Sequence, residues 1–403
     1  MTIHILTFSS LYPSASRPTH GVFVEHRLRK LVASGEVHST VVCPVPWFFS
    51  SNARFGDYGR MAATPRKDVR HGIAVSYPRY PQLPKFGMNA APYGMFLGVR
   101  RLVRTLHAEI GFQAIDAHYF YPDGVAAVML GDALGLPVVI TARGSDINLI
   151  PKFGAARKKI LWAAAKAFHM VTVCQALKDE MDALGVDTSR VTVLRNGVDL
   201  DLFRPRDREA ARAKHDCEGR TLVSVGHLIP RKGHDLIIKA LPRLTATNLL
   251  IVGSGPERSA LQQIGVSSGV AERVRFLGEV SQETLAELYS AADALVLASS
   301  REGWANVLLE SMACGTPVVA SNVWGTPEVV RVPEAGVLMQ ERTPDGVAAA
   351  CERLFDNYPD RAHTRRYAEQ FSWDNTTKGQ LEVFGGAAAS AATNQRRRMP
   401  ETT

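Results

Sequence analysis

The sequence predicts an α/β protein built from two doubly wound, Rossmann-like domains. Three observations carry that expectation. At 403 residues the chain is longer than one hydrophobic core usually serves. Short β-branched apolar runs alternate with longer segments of helical periodicity, the pattern of a parallel sheet covered by helices. The alternation stops at a turn-rich stretch, "RNGVDLDLFRP", and starts again after Arg220.

Taken in order, residues 3–8, 39–43, 113–117, 138–141 and 170–173 read as strands of the front half, with helices at 24–33, 125–134 and 155–167. The segment 44–95 reads as a long irregular insertion, broken by Pro44, Pro46, Pro78, Pro81 and Pro84 and carrying the aromatic run Trp47-Phe48-Phe49. In the back half, strands are expected at 221–225, 248–252, 274–277, 294–297 and 318–320. This divides the chain into domains at 1–197 and 198–370, facing each other. A helix follows within 371–386, then a tail at 387–403 whose few core-forming residues predict disorder.

Composition limits the function classes. Apolar residues make up 46% and charged residues 21%, as in ordinary globular chains. The stretch 125–142, the best candidate for a membrane span, is interrupted by Asp132 and Gly135. The first residues read as a strand rather than a signal peptide, so a cytoplasmic protein is expected. Five cysteines are scattered singly, without the spacing of a zinc site or a disulfide framework. Residues 1–200 hold 23 Lys and Arg against 14 Asp and Glu, a net +9, while residues 201–403 hold 24 against 25. A basic front half suggests an anionic partner such as a membrane surface or a lipid diphosphate. Nucleic acid is not expected, because the cations lack interleaved aromatics or a recognition-helix pattern.

The most informative stretch is "REGWANVLLESMACGTPVV". Gly303 prevents a helix from starting early, Asn306 suits an N-cap, and Gly315 and Pro317 close the helix. Glu302 therefore falls on a loop and Glu310 in the first turns of a helix, both at the carboxyl end of strands in a βαβ unit. No cation occupies the neighbouring helical positions of either glutamate, so a local ion pair is a poor account of them. A ligand with several hydroxyls suits them, as does a structural polar network.

"VSVGHLIPRKGHDLIIKAL" places Arg231, Lys232 and Gly233 between a strand and a helix start, where cations join free backbone N–H groups to make an anion site. "LLIVGSGPERSAL" resembles half of a dinucleotide fingerprint, but Arg258 stands where the third glycine belongs. His118 in "DAHYFYPDG", with Arg143 and Asp146 in "TARGSDINL", lies at strand ends in the front half. His20-Gly21 before the first helix offers further N–H groups. The "DLD" at Asp199–Asp201 follows a turn rather than a buried strand, and no cluster has ligand spacing, so no metal is expected.

Together these segments resemble the family 4 glycosyltransferases, retaining GT-B enzymes that use nucleotide sugars. The resemblance spans "THGVFVEHRL", "YPDGVAA", "RGSD", "RNGVDLDLFRP", "GHLIPRKG", "VGSGPER", "FLGEVS", "EGWANVLLESMACGTPVVAS" and "GTPEVV". The whole is most similar to the branch that builds cell-surface polysaccharides, teichuronic-acid-type transferases included. The resemblance implies that the two domains face across a cleft and that Glu302 binds donor-sugar hydroxyls while Glu310 binds the ribose. It also implies that Arg231 and Lys232 hold the diphosphate. Gly303, Trp304, Ala305, Asn306, Val307 and Val280 would position sugar and base, and Gly21 would let the first helix approach the phosphates. Arg143 would stand near the reacting carbon, and His118, by its position at the mouth of the sheet, is a further catalytic candidate. The nucleoside-diphosphate sugar is then a co-substrate and no cofactor is needed. A saccharide or lipid-linked saccharide acceptor would bind the front domain, with an anionic membrane surface near the Trp47–Phe49 run, placing a cytoplasmic protein at the inner face of the membrane.

Two departures matter. His227 stands where many members have arginine, and Arg143 where many have histidine. A guanidinium cannot act as a general base, which suits a transfer in which the leaving phosphate oxygen takes the acceptor's proton. The rival readings are a nucleotide-sugar epimerase or hydrolase of the same fold and a non-catalytic saccharide-binding protein.

Overall fold

The computed structural model describes residues 2–82 and 87–398. Two compact units divide the chain: Met1–Arg195 with Asp374–Thr403, and Asn196–Trp373. The divisions thus fall at 195/196 and 373/374, where 197/198 and 370/371 were expected from the sequence.

In the front unit the strands are β1 (Ile3–Phe8), β2 (Val37–Val42), β3 (Val45–Pro46), β4 (Lys67–Arg70), β5 (Ile73–Ser76), β6 (Arg79–Tyr80), β7 (Ala114–His118), β8 (Val138–Ala142), β9 (His169–Thr172) and β10 (Val191–Val193). Eight of them form one sheet in the order β10-β9-β8-β7-β1-β2-β5-β4. All pairs are parallel except the β4–β5 hairpin. Every residue of β7 and β8 is buried, as expected of strands covered by helices on both faces. The strand order runs outward from β1 on both sides, so the topology reverses between β1 and β7.

The segment 44–95 is not an irregular insertion. Its alternating residues Ile73-Ala74-Val75-Ser76 extend the sheet beside β2, and β3 pairs with β6. Strands of two to four residues between prolines are too short to register as periodicity, which is why they escape sequence reading. Pro84 lies outside the described residues.

The expectation of a disordered tail is also corrected. A single helix runs from Asp374 to Arg398. Alanine has the highest helix propensity, and Phe384, Ala387, Ala388 and Ala391 turn one helical face inward. Phe384 and Ala387 belong to the same core cluster as Ile5, Leu28 and Val139. Residues 399–403 lie outside the described residues.

The back unit holds β11 (Arg220–Val225), β12 (Thr247–Val252), β13 (Val274–Gly278), β14 (Ala294–Leu297), β15 (Val318–Ser321) and β16 (Gly336–Met339), ordered β13-β12-β11-β14-β15-β16 and all parallel. Here the order reverses between β11 and β14. In such sheets the crevice at the carboxyl ends of the strands beside a reversal is where ligands bind.

Candidate functional site

The loops that leave β11 and β14 bring the back unit's charged residues together. After β11 the chain turns at Gly226, passes a 3-10 turn at Pro230–Lys232, and enters helix His234–Ala240 through Gly233. Gly233 has φ 70°, and a Cβ there would collide with the carbonyl oxygen of Ala298, just beyond β14. Only glycine lets the two loops approach this closely. Ser300 then donates its backbone N–H to the Arg231 carbonyl at 2.8 Å, and the Arg231 guanidinium donates to the Arg301 carbonyl at 2.8 Å.

This lacing sets Lys232 Nζ 2.7 Å from Glu302 Oε1, with Arg231 Nη1 3.8 Å from the same oxygen. Glu302 is thus ion-paired, though not locally: its lysine partner comes from 70 residues earlier in the chain. Behind them His234 shares a 3.0 Å hydrogen bond with Ser224 Oγ, and burial, with Lys232 close by, pushes its pKa down to about 4.

Glu310 sits in the second turn of helix Asn306–Ala313. Asn306 is the first helical residue and makes no cap; its side chain accepts from the Asn196 amide at 3.2 Å instead. Tyr289 donates its hydroxyl to Glu310 Oε2 at 3.2 Å. Burial pushes the Glu310 carboxyl up to about 7, against the opposing pull of that hydrogen bond. Tyr289 lies outside the glutamate motif, and its fully buried position on helix Gln282–Ala291 carries no sequence signal beyond that of a core aromatic.

The remaining residues of the 301–307 loop differ in exposure. Trp304 is buried and donates its indole N–H to the Asn196 carbonyl at 3.0 Å, which makes it a tie inside the domain. Ala305 is buried beside it, whereas Gly303 and Val307 stay half-buried. Val280, half-buried in the loop after β13, lies at the same carboxyl edge of the sheet, beyond β12.

In the front unit the loops after β1, β7 and β8 hold the other expected residues. Asp146 accepts backbone N–H groups from Phe120 at 2.8 Å, Gly144 at 2.7 Å and Arg143 at 3.0 Å, and so shapes the loop that carries Arg143. Asp123 accepts from the Ser10 backbone and hydroxyl and fastens the loop after β1. Gly21, with φ 72°, has no room for a Cβ against the Leu11 backbone, so its need for glycine is met inside the domain.

His118 lies with Nε2 3.1 Å from Asp116 Oδ2 and Nδ1 2.7 Å from Arg143 Nη2. Since arginine only donates, Nδ1 accepts and the proton stays on Nε2. Burial, reinforced by Arg143, pushes the histidine down to about 4. Burial alone would raise Asp116, but His118, Arg27 and Arg143 outweigh it and hold the carboxyl below its ordinary value. Both ring nitrogens of His118 are engaged within the domain. Buried as it is, His118 meets Asp116 and Arg143 inside the domain.

Residues 21–202 match the model of Glycosyltransferase Family 4, and residues 205–371 that of Glycosyl transferases group 1. The chain is 37% identical over 334 residues to a D-inositol 3-phosphate glycosyltransferase of Mycobacteroides abscessus, covering 78% of this chain and 74% of that one. It is 30% identical over 331 residues to the putative teichuronic acid biosynthesis glycosyltransferase TuaC of Bacillus subtilis, covering 80% and 81%. Among solved structures, Anabaena HepE in complex with UDP superposes with a TM-score of 0.72 at 18% identity, covering 96% of this chain and all of the other (100%). With two domain models following one another along the sequence and such relatives along most of its length, the chain belongs to glycosyltransferase family 4 and has the GT-B fold.

Proposed function

We propose that the protein moves a sugar from a nucleoside-diphosphate sugar to a saccharide or lipid-linked saccharide. The reaction proceeds with retention at the anomeric carbon and without a metal or other cofactor, in polysaccharide or glycoconjugate synthesis at the inner face of the cell membrane. The observation that carries this reading is the Lys232–Glu302 pair at the topological reversal of the back sheet. A lysine ammonium has three protons, so Lys232 serves Glu302 with one and keeps others for diphosphate oxygens. Arg231 adds a second cation, and Glu302 offers a carboxylate oxygen to a sugar hydroxyl. Glu310 lies in the helix that follows, as a ribose ligand requires.

In the proposed transfer the bond from the anomeric carbon to the diphosphate oxygen breaks and a bond to the acceptor oxygen forms on the same face. The departing diphosphate oxygen takes the acceptor's proton. Lys232 and Arg231 stabilise the charge that develops on that oxygen. No side-chain base is required, which agrees with the engagement of both nitrogens of His118. The similarity to HepE, solved with UDP, puts uridine first among the nucleosides to try, and the relationship to TuaC puts surface polysaccharides first among the products.

The test is product analysis with a set of nucleotide sugars and lipid-diphosphate saccharides, read by NMR. Release of the nucleoside diphosphate together with a new glycoside of the donor's anomeric configuration is expected. An inverted product would overturn retention. An epimerised or hydrolysed sugar nucleotide formed without acceptor would favour the rival enzyme reading.

A further inference from the structure

We infer that the front domain docks on an anionic bilayer surface through the outward faces of two helices, Ala91–Ile110 and Gly154–Lys166. This deepens the reading of a lipid-linked acceptor and rests on it for its biological sense, though not for its physical argument. The first helix buries Ala91, Met95, Val99 and Val103 at intervals of four. Its opposite stripe shows Tyr93, 49% exposed, and Leu97, 54% exposed, followed by exposed Arg100, Arg101 and Arg104. The second helix buries Ala156, Ile160, Ala163 and Ala164 and turns Lys158, Lys159, Trp162 and Lys166 outward. Phe153, 52% exposed, stands at its start beside Lys152.

The two stripes meet. Lys159 Nζ lies 5.9 Å from the centre of the Tyr93 ring, and both helices pack on helix Val125–Leu134 between them. The charge is of one sign: residues 87–108 and 147–178 contain no Asp or Glu. From the intervening helix, Asp132 pairs with Lys166 at 2.6 Å, and Glu109 stands in the last turn of the first helix. Large apolar side chains projecting amid exposed cations match the two layers of an anionic bilayer, acyl boundary and headgroup. Among the described residues no helix is long and apolar enough to cross a membrane, so the contact is a surface one.

The Trp47–Phe49 run, where the sequence alone suggests the membrane contact, is less suited. Trp47 and Phe49 are exposed, but Phe48 and Phe49 lie 5.3 and 5.2 Å from the Phe55 ring in a cluster of their own. The same segment carries the exposed Asp57.

The test is flotation of the full-length protein with phosphatidylcholine vesicles with and without phosphatidylglycerol, at low salt. Binding should require phosphatidylglycerol. Lys158→Gln with Lys159→Gln should weaken it by roughly 25-fold, about fivefold per cation. Tyr93→Ser with Leu97→Ser should weaken it about tenfold or more, and chemical denaturation of the same variants should show an unchanged first transition, showing that their front domain folds. Equal binding to neutral vesicles, absence of vesicle binding, indifference to both variant pairs, or loss only with Trp47→Ser and Phe49→Ser would each overturn the proposal. Absence of nucleotide binding in a wild type that still floats would instead remove the donor reading and leave the docking surface standing.

Discussion

The two sheets share one topology and use it differently. In each, the strand order reverses beside the first strand; in the back unit loops from either side of the reversal bring charged side chains together, and in the front unit Asp116 and His118 of β7 meet Arg143 after the neighbouring β8. In the back unit those side chains keep capacity for a ligand: Lys232 and Glu302 form one bond with each other and retain further protons and lone pairs. In the front unit Asp116, His118 and Arg143 are engaged inside the domain. The difference teaches that position at a switch point does not by itself make a reacting group. What separates the two is that the ring nitrogens of His118 already face Asp116 and Arg143, whereas Lys232 keeps protons beyond the one it gives Glu302.

That contrast is most strongly broken at Asp116. Asp116→Ala removes the acceptor of His118 and a neutralising charge for Arg27 and Arg143, so the front domain should lose about 3–5 kcal/mol of stability. Chemical denaturation of the full chain should show an earlier first transition, while nucleotide binding by the back domain persists below it. An unchanged transition would mean the front network is not structural.

A smaller effect is expected at Tyr289→Phe. Loss of one hydrogen bond to Glu310 should cost about 1 kcal/mol, roughly fivefold in nucleotide affinity. If affinity is unchanged, Glu310 does not act through its hydrogen-bonded carboxyl.

The smallest effect is a pH dependence. Glu310 holds its proton up to about 7, against an ordinary 4.5. The folded chain therefore binds that proton more tightly than the unfolded one. Glu310 then favours folding below about 4.5, and that contribution declines as pH rises through 7. Ribose hydroxyls donate best to the ionised carboxylate, so nucleotide affinity should strengthen across the same upper range. Glu310→Gln should flatten the Glu310 part of both trends, leaving only the titration of the nucleotide itself. A profile identical in wild type and variant would remove Glu310 from the site.

Much of the fold was legible because parallel strands are continuous apolar runs. Residues 3–8, 138–141 and 248–252 showed themselves in that way, and the corresponding strands are Ile3–Phe8, Val138–Ala142 and Thr247–Val252. The short strands Val45–Pro46 and Arg79–Tyr80 did not, because two residues carry no period. The helix of 387–398 was missed for another reason: an alanine-rich segment resembles a low-complexity tail until a core is present for its small side chains to meet. At the site, Glu302, Glu310, Arg231 and Lys232 were visible through local loop chemistry. That Lys232 neutralises Glu302 was not, since contact across 70 residues depends on the close approach allowed by Gly233. Asp116 and Tyr289 looked like ordinary strand and core residues.

The central claim is that the loops after β11 and β14 hold a nucleoside diphosphate through Lys232 and Glu310. Calorimetric titration of UDP, GDP, ADP and NAD into wild type, Lys232→Ala and Glu310→Ala tests it most directly. One nucleoside diphosphate should bind the wild type. Lys232→Ala should weaken it by about 1.5–3 kcal/mol, roughly 10- to 150-fold, with a smaller loss in Glu310→Ala. Binding of NAD alone, or diphosphate binding indifferent to both substitutions, would contradict the claim.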